Sequence, residues 1–172
     1  MAVTQFNLPS GRRAERKLLI TVAEWMEGTT QVREILGTRT EDSSIEYNPD
    51  IETTTDILGI NYTDLNKTQP QQDFDPYLVL GGSKLGAKLN DIRRRNALSE
   101  LNQFTVYIIT AFVGTTGAYQ AEKHTGCSII YNSIGGDANV NFPISVYYSN
   151  NITTGTVNKL SDDFQFNADS SL

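Results

Sequence analysis

The chain has one cysteine, one histidine and one tryptophan among 172 residues. A lone cysteine, Cys127, excludes an intrachain disulfide and makes synthesis in a reducing cytosol the simplest reading. His124 and Cys127 lie three apart. Zinc sites use three or four protein ligands, so only carboxylates are left to complete a set around this pair. The pair also lacks an orienting partner for a nucleophilic thiol, so a structural role is favoured. No window approaches the ~18 apolar residues of a membrane span. The first ten residues show no basic stretch followed by an apolar one, so no signal peptide is expected. Bases are outnumbered 14 to 20, a formal charge of -6. Phosphate binding needs clustered Lys and Arg, so the overall balance does not favour nucleic-acid affinity. No cofactor and no metal is implied.

What is present is mostly β pattern. At this length one domain with a real core is expected. Positions 44, 46, 48, 50, 52, 54 and 56 read Ser, Glu, Asn, Asp, Glu, Thr, Asp, with Ile45, Tyr47 and Ile51 between them. Alternation of this kind predicts one strand over Ser44–Asp56 with an acidic wet face and an apolar face. After Leu58-Gly59 the run from Ile60 to Leu65 predicts the return arm of a hairpin, each arm about twice the usual five or six residues. Leu18–Trp25 and Val32–Leu36 read as strands. Phe104–Val113 is apolar on both faces and should be covered on both sides. Thr125–Ser133, Val140–Tyr148, Ile152–Leu160 and Asp163–Phe166 complete the strands, with Asn150-Asn151 suited to a tight hairpin turn. One helix stands out over 83–98. Ser83 is its N-cap, Leu85, Leu89 and Ile92 make one apolar stripe, and Arg93, Arg94 and Arg95 suit its C-terminal end. The expected fold is mainly β: a β-sandwich or barrel with one flanking α-helix, in a single domain 1–172. Residues 1–17 form an N-terminal arm, 44–69 a long hairpin and 167–172 a polar tail.

Candidate chemistry is sparse. Asp50 and Glu52 share a strand face at roughly 7 Å. Paired carboxylates serve general acid–base work or glycoside hydrolysis, but one of the two then needs an apolar pocket. A solvated row of acids is the simpler reading, and no catalytic residue is assigned. The loop Leu80-Gly81-Gly82-Ser83-Lys84 precedes the helix and offers backbone N–H groups to an anion, without phosphate-loop spacing. Two basic clusters, Arg12, Arg13, Arg16 and Lys17, then Arg93, Arg94 and Arg95, fit a solvated face or contacts with acidic surfaces of neighbouring copies. DNA binding ranks third, because no aromatic residues interleave them.

Charge is unevenly placed. From Glu27 to Asp75 there are eleven acids and three bases, about -8 at neutral pH. If several copies pair their hairpins edge to edge, closure removes the hazard of open strand edges. The apolar face would pack on the sandwich and helix. The acidic face would line a channel that repels DNA phosphates and lets a polyanion slide.

Three stretches carry a family resemblance. One runs from Ile51-Glu52-Thr53-Thr54-Thr55-Asp56-Ile57-Leu58-Gly59 through Phe74-Asp75-Pro76-Tyr77 to Lys84-Leu85-Gly86-Ala87-Lys88-Leu89. The second is Asp91-Ile92-Arg93-Arg94-Arg95-Asn96. The third is Asn132-Ser133-Ile134-Gly135-Gly136-Asp137 with Val140–Tyr148, Gly155-Thr156-Val157 and Phe164. Together these resemble phage tail tube proteins (major tail proteins), a family related to the tubes of contractile tails, bacteriocins and type VI secretion. The resemblance implies a structural, non-enzymatic virion protein, homohexameric rings stacked into a tube, and a β-barrel lumen that conducts DNA. It implies a tape measure protein and tail completion proteins as partners. It makes Glu46, Asp50, Glu52, Asp56 and Asp64 the lumen candidates. The contending reading is a β-sandwich that binds carbohydrate or another ligand. Against it, Tyr147 and Tyr148 point oppositely and Trp25 lies in an apolar strand.

Overall fold

The computed structural model describes residues 5–170; the first four residues of the arm and the last two of the tail lie outside them. After a 3-10 turn at Arg16–Leu18 come β1 (Leu19–Glu27), β2 (Thr30–Ile35), β3 (Ile45–Glu46), β4 (Asp50–Thr55), β5 (Asn61–Lys67) and β6 (Gln71–Phe74). Helix α1 (Lys84–Arg95) and a second 3-10 turn (Leu98–Asn102) follow. The chain ends with β7 (Phe104–Thr115), β8 (Ala118–Tyr131), β9 (Ile144–Tyr147), β10 (Ile152–Val157) and β11 (Phe166–Ala168). The protein is mainly β, with one large antiparallel sheet and one helix, and no closed barrel forms among the described residues. No described helix is long and apolar enough to cross a membrane.

The organising unit is the β7–β8 hairpin. The sequence reading started β8 at Thr125; it starts at Ala118, straight after a two-residue turn at Thr116-Gly117. Residues 118–124 read polar because that half of the strand mixes Gln120, Glu122 and Lys123 with the buried Ala121 and His124 and the half-buried Tyr119. Between Phe104 and Thr105 the register with β8 slips by one residue, and the extra residue is Gly126, at φ +78. A bulge with a left-handed glycine bends the strand there. Upstream of the bend β8 pairs with β10; downstream it pairs with β9. Both run antiparallel to β8, so β9 and β10 are two lengths of one path beside it. Asn150-Asn151 therefore does not reverse the chain as expected. It carries the chain past the bulge, with Thr125 N–H donating to Asn151 O at 3.1 Å and Ser149 Oγ to Thr125 O.

The bend divides the sheet into two leaves that share β8. One leaf runs β2-β1-β7-β8-β10-β11; the other runs from β8 through β9 and β6 to β3. The leaves and α1 enclose the main core. Ala23, Trp25, Phe104, Val106 and Ile108 meet Phe74, Ile129, Ile144 and Val146 there, together with Leu85, Leu89 and Ile92 of the helix. A buried polar group also links the leaves: Thr21 Oγ1 and the Tyr148 hydroxyl both donate to Gln72 Oε1, at 2.9 and 2.7 Å, and Gln72 Nε2 donates to Ser43 Oγ. The opposite face of β1 and β7 is covered too, as the apolar run of β7 predicts. Val22, Tyr107 and Ile109 lie under Val157 and Phe164 of the C-terminal segment. Arg33 closes that side, its guanidinium 4.1 Å from the Phe164 ring centroid and 2.6 Å from Glu24 Oε2.

Helix α1 forms as read. Ser83 Oγ accepts from Gly86 N–H, and Leu85, Leu89 and Ile92 are fully buried. The helix stops at Arg95 because Asn96 adopts the left-handed conformation. Strand β9 is shorter than the predicted 140–148, yet Phe142, Ile144, Val146 and Tyr148 are all buried and Tyr147 points out. The final strand sits at Phe166–Ala168, overlapping the segment read as a polar tail.

Truncating Leu89 to Ala should cost about 2–5 kcal/mol in urea unfolding of the monomeric chain, because it hollows the core. Leu65→Ala, on the exposed β5, should stay within about 0.5 kcal/mol of wild type. Equal losses would show that the arm belongs to the core of the subunit.

Candidate functional site

Strands β4 and β5 hydrogen-bond only to each other and make a separate two-stranded sheet. The single strand expected over 44–56 is broken at its base. Ile45 and Glu46 pair with Gln72 and Gln71 on the main sheet. The chain then turns out of the sheet at Asn48, whose φ is +44, and at Pro49, which donates no backbone hydrogen bond. Gln69 N–H donates to Tyr47 O at 2.8 Å and Asn48 Nδ2 to Gln69 O at 3.1 Å, closing a narrow neck. Beyond it the arms are six and seven residues long, ordinary rather than doubled.

Every residue of both arms is exposed. The expected packing of the apolar face onto the sandwich and helix does not occur in the subunit. Cross-strand partners share a face, and the register sorts them. Ile51 stands opposite Leu65, Thr53 opposite Thr63 and Thr55 opposite Asn61. The other face carries Glu52 opposite Asp64 and Thr54 opposite Tyr62. The two-faced pattern read from sequence is therefore present, but its apolar side is in water: Ile51 is 57% and Leu65 61% exposed.

The lumen candidates separate in space. Glu52 and Asp64 face each other directly, an arrangement of like charges that destabilises an isolated hairpin. Asp50 lies at the base, opposite Lys67, and a bulge divides it from Ile51. Glu46 is on the main sheet, outside the arm. Asp56 is not in a strand at all. Its Oδ1 accepts from Leu58 N–H and Ile60 N–H, at 2.8 and 2.9 Å, and so shapes the tip. The Ile60 amide foremost, then that of Leu58, holds this carboxyl below the usual aspartate range. The turn lifts Ile57 and Leu58 clear of the arm, at 102% and 78% exposure.

The basic clusters have distinct settings. Arg12 and Arg13 are exposed, and Lys17 pairs with Glu15 on the surface. Arg16 instead ties the lead-in to the body, donating to Leu19 O and Ser43 O at 2.6 and 2.7 Å. On α1, Arg95 bridges Asp91 and Glu100, and Lys88 also reaches Glu100. Arg95 and then Lys88 pull the Glu100 carboxyl down to about 2. Arg93 and Arg94 have no carboxylate partner among the described residues.

Two other sequence candidates find internal roles. The helix N-terminus offered to an anion holds the protein's own: Glu34 Oε2 accepts from Leu85 N–H at 2.6 Å, and Oε1 from Ser83 Oγ at 3.0 Å. His124 is buried between Ser149 O and Glu122, and burial pushes the Cys127 thiol up. Among the described residues no group of three or more His, Cys, Asp or Glu is placed to hold a metal. Asp50 and Glu52 are both exposed on the arm, outside any apolar pocket.

The chain matches no protein-family model and no curated protein. Its fold is similar to that of a chain from the cryo-EM structure of the anti-feeding prophage cap, a tube-terminating cap, at 15% identity and a TM-score of 0.51. That alignment covers 91% of this chain and 99% of that one. A chain of the six-fold symmetrised anti-feeding prophage baseplate aligns at 8% identity and TM-score 0.46, over 86% and 97%. A chain of the PVC sheath–tube complex, from an extracellular contractile injection system in its extended state, aligns at 12% identity and TM-score 0.46, over 86% and 95%. The fold is thus similar to one found in a tube-terminating cap, in line with the resemblance to tail proteins. The likeness to the cap chain, at this identity, concerns the fold alone.

Removing the tip acceptor should loosen the tip. In Asp56→Ala, amide exchange at Leu58 and Ile60 should quicken several-fold with the main sheet unchanged. The folded carboxyl titrates below its unfolded value, so its contribution is present above the unfolded pKa and is lost as pH falls through the folded one. The wild-type tip should therefore resemble the variant only under acid conditions, as read by the Ile60 amide shift.

Proposed function

We propose that this chain is a structural subunit of a phage-type tail tube. Copies assemble into hexameric rings, the rings stack, and the arms combine around a lumen through which DNA passes. The observation that carries this reading is the free arm with its large apolar side chains in water: Ile51, Ile57, Leu58, Ile60, Tyr62 and Leu65. Exposed apolar surface on this scale marks an interaction site. Burying each such side chain contributes roughly 1.5–3 kcal/mol. Open strand edges on both sides of the arm add a second incentive, since a neighbouring arm can satisfy them. The shared fold with a tube-terminating cap chain supports the reading.

On this reading the Glu52–Asp64 face turns to the lumen and the Ile51–Leu65 face turns toward protein. Asp50 extends the acidic face at the base. The carboxylates repel passing phosphates and keep the wall non-adhesive. The protein then resides in the tail of a virion, meets a tape measure protein and tail completion proteins during assembly, and acts without catalysis or cofactor. A carbohydrate-binding role has less support, because the exposed Tyr62 sits on the two-stranded arm while the exposed Tyr147 sits on the main sheet.

Negative-stain electron microscopy of the purified full chain should show rings or tubes at high concentration. A protein that stays monomeric throughout would overturn the proposal. Glu52→Lys with Asp64→Lys should leave tubes intact, since both side chains face away from the protein side. Particles built with that variant should deliver DNA at least ~10-fold less efficiently, because each reversal turns a repelled phosphate into an attracted one. Unchanged delivery would remove the acidic-lumen role.

A further inference from the structure

Beside α1 lies an apolar recess of about 360 Å³, lined by Val79, Leu80, Ala87, Ile134, Val140 and Phe142. Val79, Ile134 and Val140 are each about half exposed, so no described part of the subunit fills it. The same chain carries an unburied apolar knob, Ile57 and Leu58, that touches nothing in its own body. Knob and recess are both open in one subunit, so the tip does not occupy its own recess.

Charge pairs the two surfaces. The side of α1 that lines the recess carries Gly86, Ala87 and Asn90. Residues three and four further along share that side of a helix, which places Arg93 and Arg94 at the rim. Arg93 Nη2 donates to Asn90 Oδ1 at 2.9 Å, one hydrogen bond from the recess wall. The opposite side of the helix spends its cations on Asp91 and Glu100, as described above. The arm brings the complement: four acids and one base over residues 50–67, with Asp56 adjoining Ile57 at the tip. An apolar knob beside an anion thus corresponds to an apolar recess beside two unpaired cations.

We propose that the recess docks the hairpin tip of a second copy, with Ile57 and Leu58 between Val79, Val140 and Ala87, and Asp56 against Arg93 or Arg94. The contact is heterologous, because knob and recess are different surfaces. Repeated from copy to copy it closes into a ring or runs on as a filament, rather than stopping at a pair. The inference rests on the assembling-subunit reading above and names the surface by which the arm reaches its neighbour.

Mixing a Leu58→Cys chain with a Val140→Cys chain under mild oxidation tests the contact. A disulfide-linked dimer should form in the mixture and be absent from either variant alone; Cys127 is buried and contributes no background. Leu58→Asp, and separately Arg93→Glu with Arg94→Glu, should weaken assembly at least ~10-fold, the scale of one buried aliphatic side chain. Arg93→Lys with Arg94→Lys should retain it. All these residues are exposed, so the variants should fold as wild type. Wild-type tubes by microscopy, with no cross-link and normal assembly of Leu58→Asp, would overturn the docking and leave the tube reading standing. Absence of rings and tubes in wild type would overturn the tube reading, and the docking with it unless the cross-link still forms.

Discussion

A two-stranded ribbon has no interior. Each residue of the β4–β5 arm has a side chain on one of two faces, and neither face meets the body that carries it. A lone hairpin is at best marginally stable in water. This one is further strained by Glu52 opposite Asp64. Its remaining supports are local: the Thr55–Asn61 side-chain bond, the Asp56 turn and the Tyr47–Gln69 neck. Such an arm, with both faces in water, is the feature on which the proposed assembly depends.

The body makes the free arm affordable by completing itself without it. Buried on both faces, β1 and β7 need nothing more. The bulge at Gly126 lets β8 serve two leaves at once, so the core closes with one long strand rather than two short ones. Among the described residues, every buried side-chain polar atom has a hydrogen-bond partner. Even the helix N-terminus and the lone histidine are committed internally, to Glu34 and to Ser149 and Glu122. Left over on the body are the recess beside α1 with Arg93 and Arg94 near it, the exposed Arg12 and Arg13, and scattered apolar side chains such as Met26, Leu98 and Ile152.

How much of this the sequence discloses depends on whether a feature is local. The helix was legible because cap, apolar stripe and arginine end all fall within a few turns and agree. The double coverage of β7 was legible because apolar residues on both faces admit one solution. The hairpin and its two faces were legible from period-two alternation. The break at Asn48 was not, because a left-handed asparagine and a proline leave the alternation intact while changing where the strand goes. The first half of β8 is not legible because its outward residues are polar and one of its two partners, β10, is distant in sequence. The role of Asn150-Asn151 is not legible from sequence, because the same residues that reverse a chain can carry it past a bulge, and only the register with β8 distinguishes the two. Of the lumen candidates, Asp56 illustrates the limit: one residue past the last strand position, its carboxylate turns from the acidic face to the backbone of its own turn.

Charge placement orders the encounter of copies. The arm carries four acids and one base, and the rest of the body is correspondingly less acidic. Arms approaching each other alone repel. An arm approaching the Arg93–Arg94 side of a neighbouring body is attracted, with a range set by a Debye length of about 8 Å at physiological salt. In the proposed docking, copies therefore meet arm to body first. In the proposed tube, contact between arms follows only where bodies already hold them side by side, and there hydrogen bonding between strand edges and burial of Ile51 and Leu65 would offset the repulsion. A sequence with neutral arms would lack that order: its ribbons would pair freely in solution, and open edges would grow into aggregates in place of a closed ring.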